Sequence, residues 1–485
     1  GMSGQGAESL GVRGGACGAT AFTGHPGGLY WTHALPRSET HEPRHGGCTS
    51  VPFLEKIAMV SFAVQRAVRG VLSLLVLAGA LVLAVDRSMA AEFLAAEFLA
   101  AELVVPARPA TMFVAVDLPD GANWTPGQSV VLTEVDAPDL AIPAQVVPAT
   151  ADDGMPSQRG KLLAVVAPRV GAPTERRFRL NATAESAGTF TWEDQGAATL
   201  KLSQEGKPVL AYNHGTITGE NVPQTDHRRR AACYIHPLWG LHGEVLTDDF
   251  PRDHYHHHGV FWTWPHIGIE GREYDSWAGD NLQVRKVDWL HKATGPAAAL
   301  LAVENGWFIE PEFGRKVMVE RVWMVAYQAA DGSRAIDLEF TWIPTETPIT
   351  LWGAGGKSYG GLTVRFIGKP HEDQVITVPT GRTTEDLPMT PLAWADFSRH
   401  FEGAPGRSGA AVMVHPGHPD YPPTWLTRHY GPLCVGWPGV ESQTFEPGKP
   451  IRLAYRLWIH ANDGDAAAIQ QAYDAYAAGV QARWE

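Results

Sequence analysis

Four cysteines in 485 residues are too few to build a disulfide scaffold. Cys17 and Cys48 lie ahead of the expected mature chain, so only Cys233 and Cys434 remain. Those two are compatible with one disulfide or with two buried thiols. Basic runs are also lacking beyond Arg228–Arg230, and the formal charge is −13. An acidic surface repels phosphate backbones, so nucleic acid is not an expected partner. After residue 91 there is no apolar run of 18 residues, so no stable membrane span is expected in the mature chain. Phosphate-binding glycine loops, a nucleophile elbow and cysteine-based zinc motifs are all missing. What is abundant is tryptophan, 17 residues, which serves both β cores and the stacking of sugar rings.

The first hundred residues do not read as part of the fold. Residues 1–58 are rich in Gly, Pro, His and Thr and have no periodicity. Arg66 and Arg69 then precede an apolar run over residues 71–85, and Ser88 and Ala90 supply the small residues of a cleavage site. This pattern predicts a signal peptide over residues 59–90, translation from Met59, and a periplasmic or secreted product. About 15 apolar residues are short for a membrane anchor. Residues 91–102 repeat Ala-Ala-Glu-Phe-Leu and read as a linker or helical stub.

Residues 103–189 alternate short β-type runs with Gly, Pro and Asp punctuation, which predicts a small accessory β-sandwich. Residues 190–480 predict a larger all-β domain. Segments such as 317–325, 335–342 and 451–459 alternate apolar and polar residues, as half-buried antiparallel strands require. A single helical pattern, 465–478, closes the chain. The expected fold class is therefore all-β, a large antiparallel sandwich preceded by a small one.

The densest chemistry lies at residues 253–258, Asp-His-Tyr-His-His-His. Read as a strand, it sets His254, His256 and His258 on one face and Tyr255 and His257 on the other. Histidine titrates near neutrality and ligates transition metals. Sugar binding with acid/base chemistry, a metal site and a structural cluster are thus all open readings. His236, Asp249, Trp262, Asp275 and Trp277 lie close by in sequence and can join a pocket. Farther along, the Gly-Gly turn after Lys357 and Tyr359 can deliver both side chains to it. The proline-stiffened stretch after His415 carries Trp425 and Arg428.

The segments 234–238 (Tyr-Ile-His-Pro-Leu), 248–257, 357–362 and 415–428 resemble the PmoA-like family, over about residues 196–478. That resemblance implies an exported bacterial protein with a sandwich similar to the galactose mutarotase supersandwich, and a carbohydrate ligand. His254, His256 and His257 match the family's histidines. His258 replaces an expected arginine and His418 an expected asparagine. The family's label refers to a membrane methane oxygenase subunit, which needs several spanning helices, so methane oxidation is not expected here.

The residues then point to an exported protein that binds or processes a carbohydrate without a cofactor. His256 or His257 is the expected acid or base, with Asp275 or Glu339 as carboxylate partner. Lys357 and Arg428 are expected to hold polar groups, and Trp262 or Trp277 to stack the ring. His236, Asp249, His254, Tyr359, His415 and Trp425 complete the expected lining. One alternative is an enzyme holding a divalent transition metal through His254 and His256. Another is a non-catalytic carbohydrate-binding envelope module.

Overall fold

A computed structural model describes residues 101–485 apart from 126–127, 184–187, 280, 310–313 and 369–372. The leader, the signal peptide and nearly all of the 91–102 repeat lie outside the described residues.

Two nine-stranded antiparallel sheets face one another. The front sheet runs, edge to edge, through Pro388–Pro391, Thr424–Thr427, Pro432–Gly436, Gly361–Arg365, Val260–Thr263, Tyr234–Leu238, Lys207–Asn213, Thr199–Gln204 and Phe190–Gln195. The back sheet contains the long strands Leu282–Thr294, Ala298–Ile309, Arg315–Tyr327, Ser333–Pro344 and Ile451–His460, then four shorter ones. Alternation decides which side chains meet between them. Val260, Trp262, Leu362 and Val364 point inward from the front, and Val322, Leu338, Phe340 and Leu453 from the back. The chain is thus an all-β sandwich. Among the described residues no helix is long and apolar enough to cross a membrane.

A third, seven-stranded sheet, six of its strands from residues 102–182, packs on the outer face of the back sheet. Phe113, Val147 and Leu163 meet Leu300, Trp323 and Trp458 there. The helix Ala466–Gly479, capped by the Asp465 side chain on the Ala468 N–H at 3.1 Å, lies against the same seam. Its buried face supplies Ile469, Ala472, Tyr473 and Tyr476. The last strand, Arg483–Trp484, then pairs with Glu102–Pro106. The small module is therefore completed by the far end of the chain.

The tryptophan surplus is largely structural. Trp264, Trp307, Trp394 and Trp425 are fully buried. The indole N–H groups of Trp307 and Trp342 converge on one carboxylate, Glu320, at 2.9 Å each. Asn305 donates to the same carboxylate at 2.8 Å and accepts from the Tyr212 hydroxyl. Cys233 and Cys434 are buried free thiols, which settles the alternative left open by their spacing.

Candidate functional site

The outward side chains of the central front strands are buried as well as the inward ones, because loops cover that face. Tyr234, Phe261, Trp277, Leu426 and Cys434 form its apolar floor. The histidine segment is one of the covering loops and not a strand. Its backbone turns twice, with His254 N–H donating to Pro251 at 2.9 Å and His257 N–H to His254 at 3.0 Å. Turn bonds of this kind take the place of a sheet ladder, so strand alternation does not govern these side chains. Gly259 then passes so close to the Ile235 carbonyl that a Cβ would overlap it. Only glycine fits there.

The turns sort the histidines differently from the strand expectation. His254 stacks face to face on His257 at 4.6 Å and on Tyr430 at 5.1 Å. His256 stands nearly perpendicular to both, 5.6 Å from His254 and 4.8 Å from His257. His258 leaves the group. Its Nδ1 lies 2.8 Å from Asp249 Oδ1, and the Tyr234 hydroxyl donates to Asp249 Oδ2 at 2.7 Å. Asp249 thus orients an imidazole whose Nε2 is left for other work. His236 belongs to the same corner, with Nδ1 at 3.1 Å from the Thr247 hydroxyl.

Beneath the stack lies Arg365, 1% exposed. Its Nη2 donates to Asp253 at 3.0 and 3.2 Å, and its guanidinium lies over the Tyr430 ring at 5.0 Å. Asp248 stands 3.9 Å from the same nitrogen. Burial opposes the charge on Asp253, but Arg365 outweighs it and holds the carboxyl below its usual range. The same burial disfavours protonated imidazole. His256 is pushed down to about 4, first by burial and then by His254 and Arg228. His257 is pushed well below its ordinary value by burial, with His256 and Arg365 adding to the effect. Both rings are neutral at pH 7.

An unfolded histidine titrates near 6.5 and folded His256 near 4, so the unfolded chain binds the proton first. Stability from this residue is present above pH 6.5, falls as pH drops and is lost once pH passes below about 4. His257 acts in the same sense, and so does His418, buried elsewhere and also pushed down to about 4. Urea midpoints measured from pH 7.5 to 4 will decline, and the decline will be shallower in His256→Asn. An equal decline in both proteins would contradict the assignment.

A cavity of about 670 Å³ opens over this face. Its walls include Tyr234, His256, His258, Phe261, Trp262 and Trp277, together with the turn at residues 224–230. A profile for a family of unknown function matches residues 199–474, more than half of the chain. The chain belongs to this family, DUF6807. No curated protein matches it. The matched DUF6807 region contains every residue that walls the cavity.

Within the DUF6807 region the expected site residues separate. His254, His256, His257 and Trp277 come together, and Tyr359 packs on Trp277 at 4.6 Å. Asp249 and His236 sit beside them at the His258 corner. Trp262 is 4% exposed and packs into the intersheet core against Phe340 at 4.8 Å.

Six other expected residues do not wall this cavity. Glu339 does not partner the histidines. It points from the opposite outer face of the sandwich, where it accepts from Lys161 at 3.1 Å and Thr150 at 2.9 Å. His415 joins Glu339 in a separate cavity of about 550 Å³ that shares no wall with the first. Trp425 is a core residue donating to the Leu392 carbonyl. Lys357 is exposed at its turn, and Arg428 pairs with Asp386 at 3.0 Å. Asp275 accepts from the Ala278 N–H at 2.8 Å and so shapes the turn that carries Trp277.

Tyr234, Arg365 and Tyr430 are site residues that the sequence reading does not single out, and Asp253 and His258, within its densest segment, have no role assigned there. Arg365 left one signal, an arginine closing an otherwise uncharged strand. As possible metal ligands, His254 and His256 present rings at 89°. Among the described residues no three His, Cys, Asp or Glu side chains form a metal-holding group.

Proposed function

We propose that the cavity binds a carbohydrate and acts on it by acid/base chemistry, in a protein exported through the signal at residues 59–90. One observation carries this reading, the hydrogen-bonded chain Tyr234–Asp249–His258 beside a second, neutral imidazole, His256. With its Nδ1 turned to Asp249, His258 keeps Nε2 as an acceptor, which suits a general base. His256 has a buried Nδ1 without a partner, so a bound hydroxyl can satisfy it. Tyr234, Phe261 and Trp277 give the cavity the apolar ring faces that a pyranose packs against. The motif likeness to the PmoA-like family, which implies a mutarotase-type sandwich, supports the same ligand class by analogy. Epimerisation, elimination and hydrolysis all draw on such a pair, and side chains alone supply it.

The test is saturation-transfer NMR against a panel of free sugars, with anomeric exchange followed in the same samples. Wild-type protein will bind at least one sugar. His258→Ala and His256→Ala will each weaken that binding or slow exchange while unfolding at near the wild-type temperature. Unchanged behaviour in both variants, or no sugar bound by the wild type, would refute the reading.

A further inference from the structure

The run Arg228–Arg230 has no part in the chemistry above, yet it walls the cavity. Four arginines line it, these three and Arg285, against one acid, Asp226, among the described residues. In a chain of net charge −13 that is a local reversal of sign. Arg228 is held in place by its own turn. Asp226 accepts from the Arg228 backbone N–H at 3.0 Å and from its guanidinium at 2.9 and 2.6 Å. Its guanidinium also lies over the Tyr255 ring at 5.6 Å, so the turn and the histidine loop touch. Arg229 reaches Glu220 at 3.1 Å, yet its Nε is buried without a partner. Arg230 is exposed on the two-stranded ribbon with Ile217–Thr218.

Guanidinium groups gathered at a cavity mouth in an acidic protein attract anions and hold them through paired N–H donors. The other polar wall residues, among them Gln224, Ser276, Asn281 and Gln283, are neutral donors and acceptors of the kind that bind hydroxyls. A neutral sugar would use that second set and make no use of the excess positive charge on this wall. We infer that the ligand is an anionic saccharide, with its carboxylate or phosphate gripped by the Arg228–Arg230 turn and its ring lying over Trp277 and the histidines. This inference rests on the carbohydrate reading and narrows it to acidic sugars.

The experiment is calorimetric titration of the full chain with glucuronate, galacturonate, glucose 6-phosphate, glucose, acetate and inorganic phosphate, at low and at physiological salt. At least one acidic sugar is expected to bind tenfold or more tightly than glucose, and to weaken as salt rises. Uronates against the sugar phosphate will distinguish the two anionic groups. Arg228→Ala and, as an exposed position safe for folding, Arg230→Ala should each lose about tenfold in affinity. Arg382→Ala, whose side chain donates to the Asp463 carbonyl away from this cavity, should lose nothing. Glucose binding as tightly as the acidic sugars would overturn the anionic inference and leave the carbohydrate reading standing. Acetate or phosphate binding as tightly as the sugars would overturn both. Acidic sugars bound equally well by the arginine variants would remove this turn from the site.

Discussion

Replacing Glu320 by leucine will cost about 3–5 kcal/mol of stability, more than any single truncation at the protein surface. The carboxylate is fully buried between the two large sheets. It accepts from Asn305, Trp307 and Trp342 at 2.8–2.9 Å, and Trp262 also donates to it. Burial pushes its pKa up, against the pull of those four donors. Leucine removes the shared acceptor and leaves each N–H without water or partner. An orphaned buried donor costs about 1–3 kcal/mol, partly recovered as the neighbours shift. Glu320→Gln keeps one acceptor oxygen but turns an amide N–H₂ toward indole donors, so about half the loss is expected. Urea unfolding of the three proteins, compared at constant m-value, measures this. If Glu320→Leu were as stable as wild type, the tryptophan cluster would owe nothing to its acceptor.

Much of the fold is visible in the sequence because strand alternation is a local signal. Residues 335–342 alternate in the chain and alternate between core and outer face in the sheet. The closing helix, expected over 465–478, spans Ala466–Gly479 with Asp465 as its cap. The site was legible in its residue types and not in its geometry. Four histidines near an aspartate announce a site, but alternation presupposes a ladder, and this loop bonds to itself. Glu339 and His415 have the right chemistry for companions of the histidines. Only topology sends them to the other face of the sandwich, where Glu339 and Lys161 tie the small sheet to the large one. Arg365 follows the histidines by more than a hundred residues, and a sequence carries no local trace of that pairing. His258 departs from the arginine that the family resemblance implies, yet its contact with Asp249 makes it the best-oriented imidazole of the four.

That distant pairing gives the second large effect, for Arg365→Met will loosen the whole histidine loop. The residue is bonded to the loop at three levels. Its backbone N–H donates to Gly259 at 2.8 Å, and its carbonyl accepts from Asp248 at 2.9 Å, so it clasps both ends. Its side chain holds the middle through Asp253. Methionine preserves the packing volume but removes the countercharge. For a fully buried ion pair the loss would be about 3–5 kcal/mol; Asp253 is a quarter exposed and can turn to water, so about 2–3 kcal/mol is expected. Asp253→Asn should cost less, about 1–2 kcal/mol, because a neutral acceptor still faces the guanidinium. In the double variant position 253 carries no charge that has lost its partner, so the two losses will not add. Backbone bonds at both ends survive all three changes, so the effect should concentrate between residues 250 and 258. Hydrogen exchange there will quicken in Arg365→Met while the back sheet exchanges as before, and the unfolding midpoint will fall. Wild-type exchange in that loop would mean that the His254–His257–Tyr430 stack holds itself together, and that the guanidinium is only a neighbour.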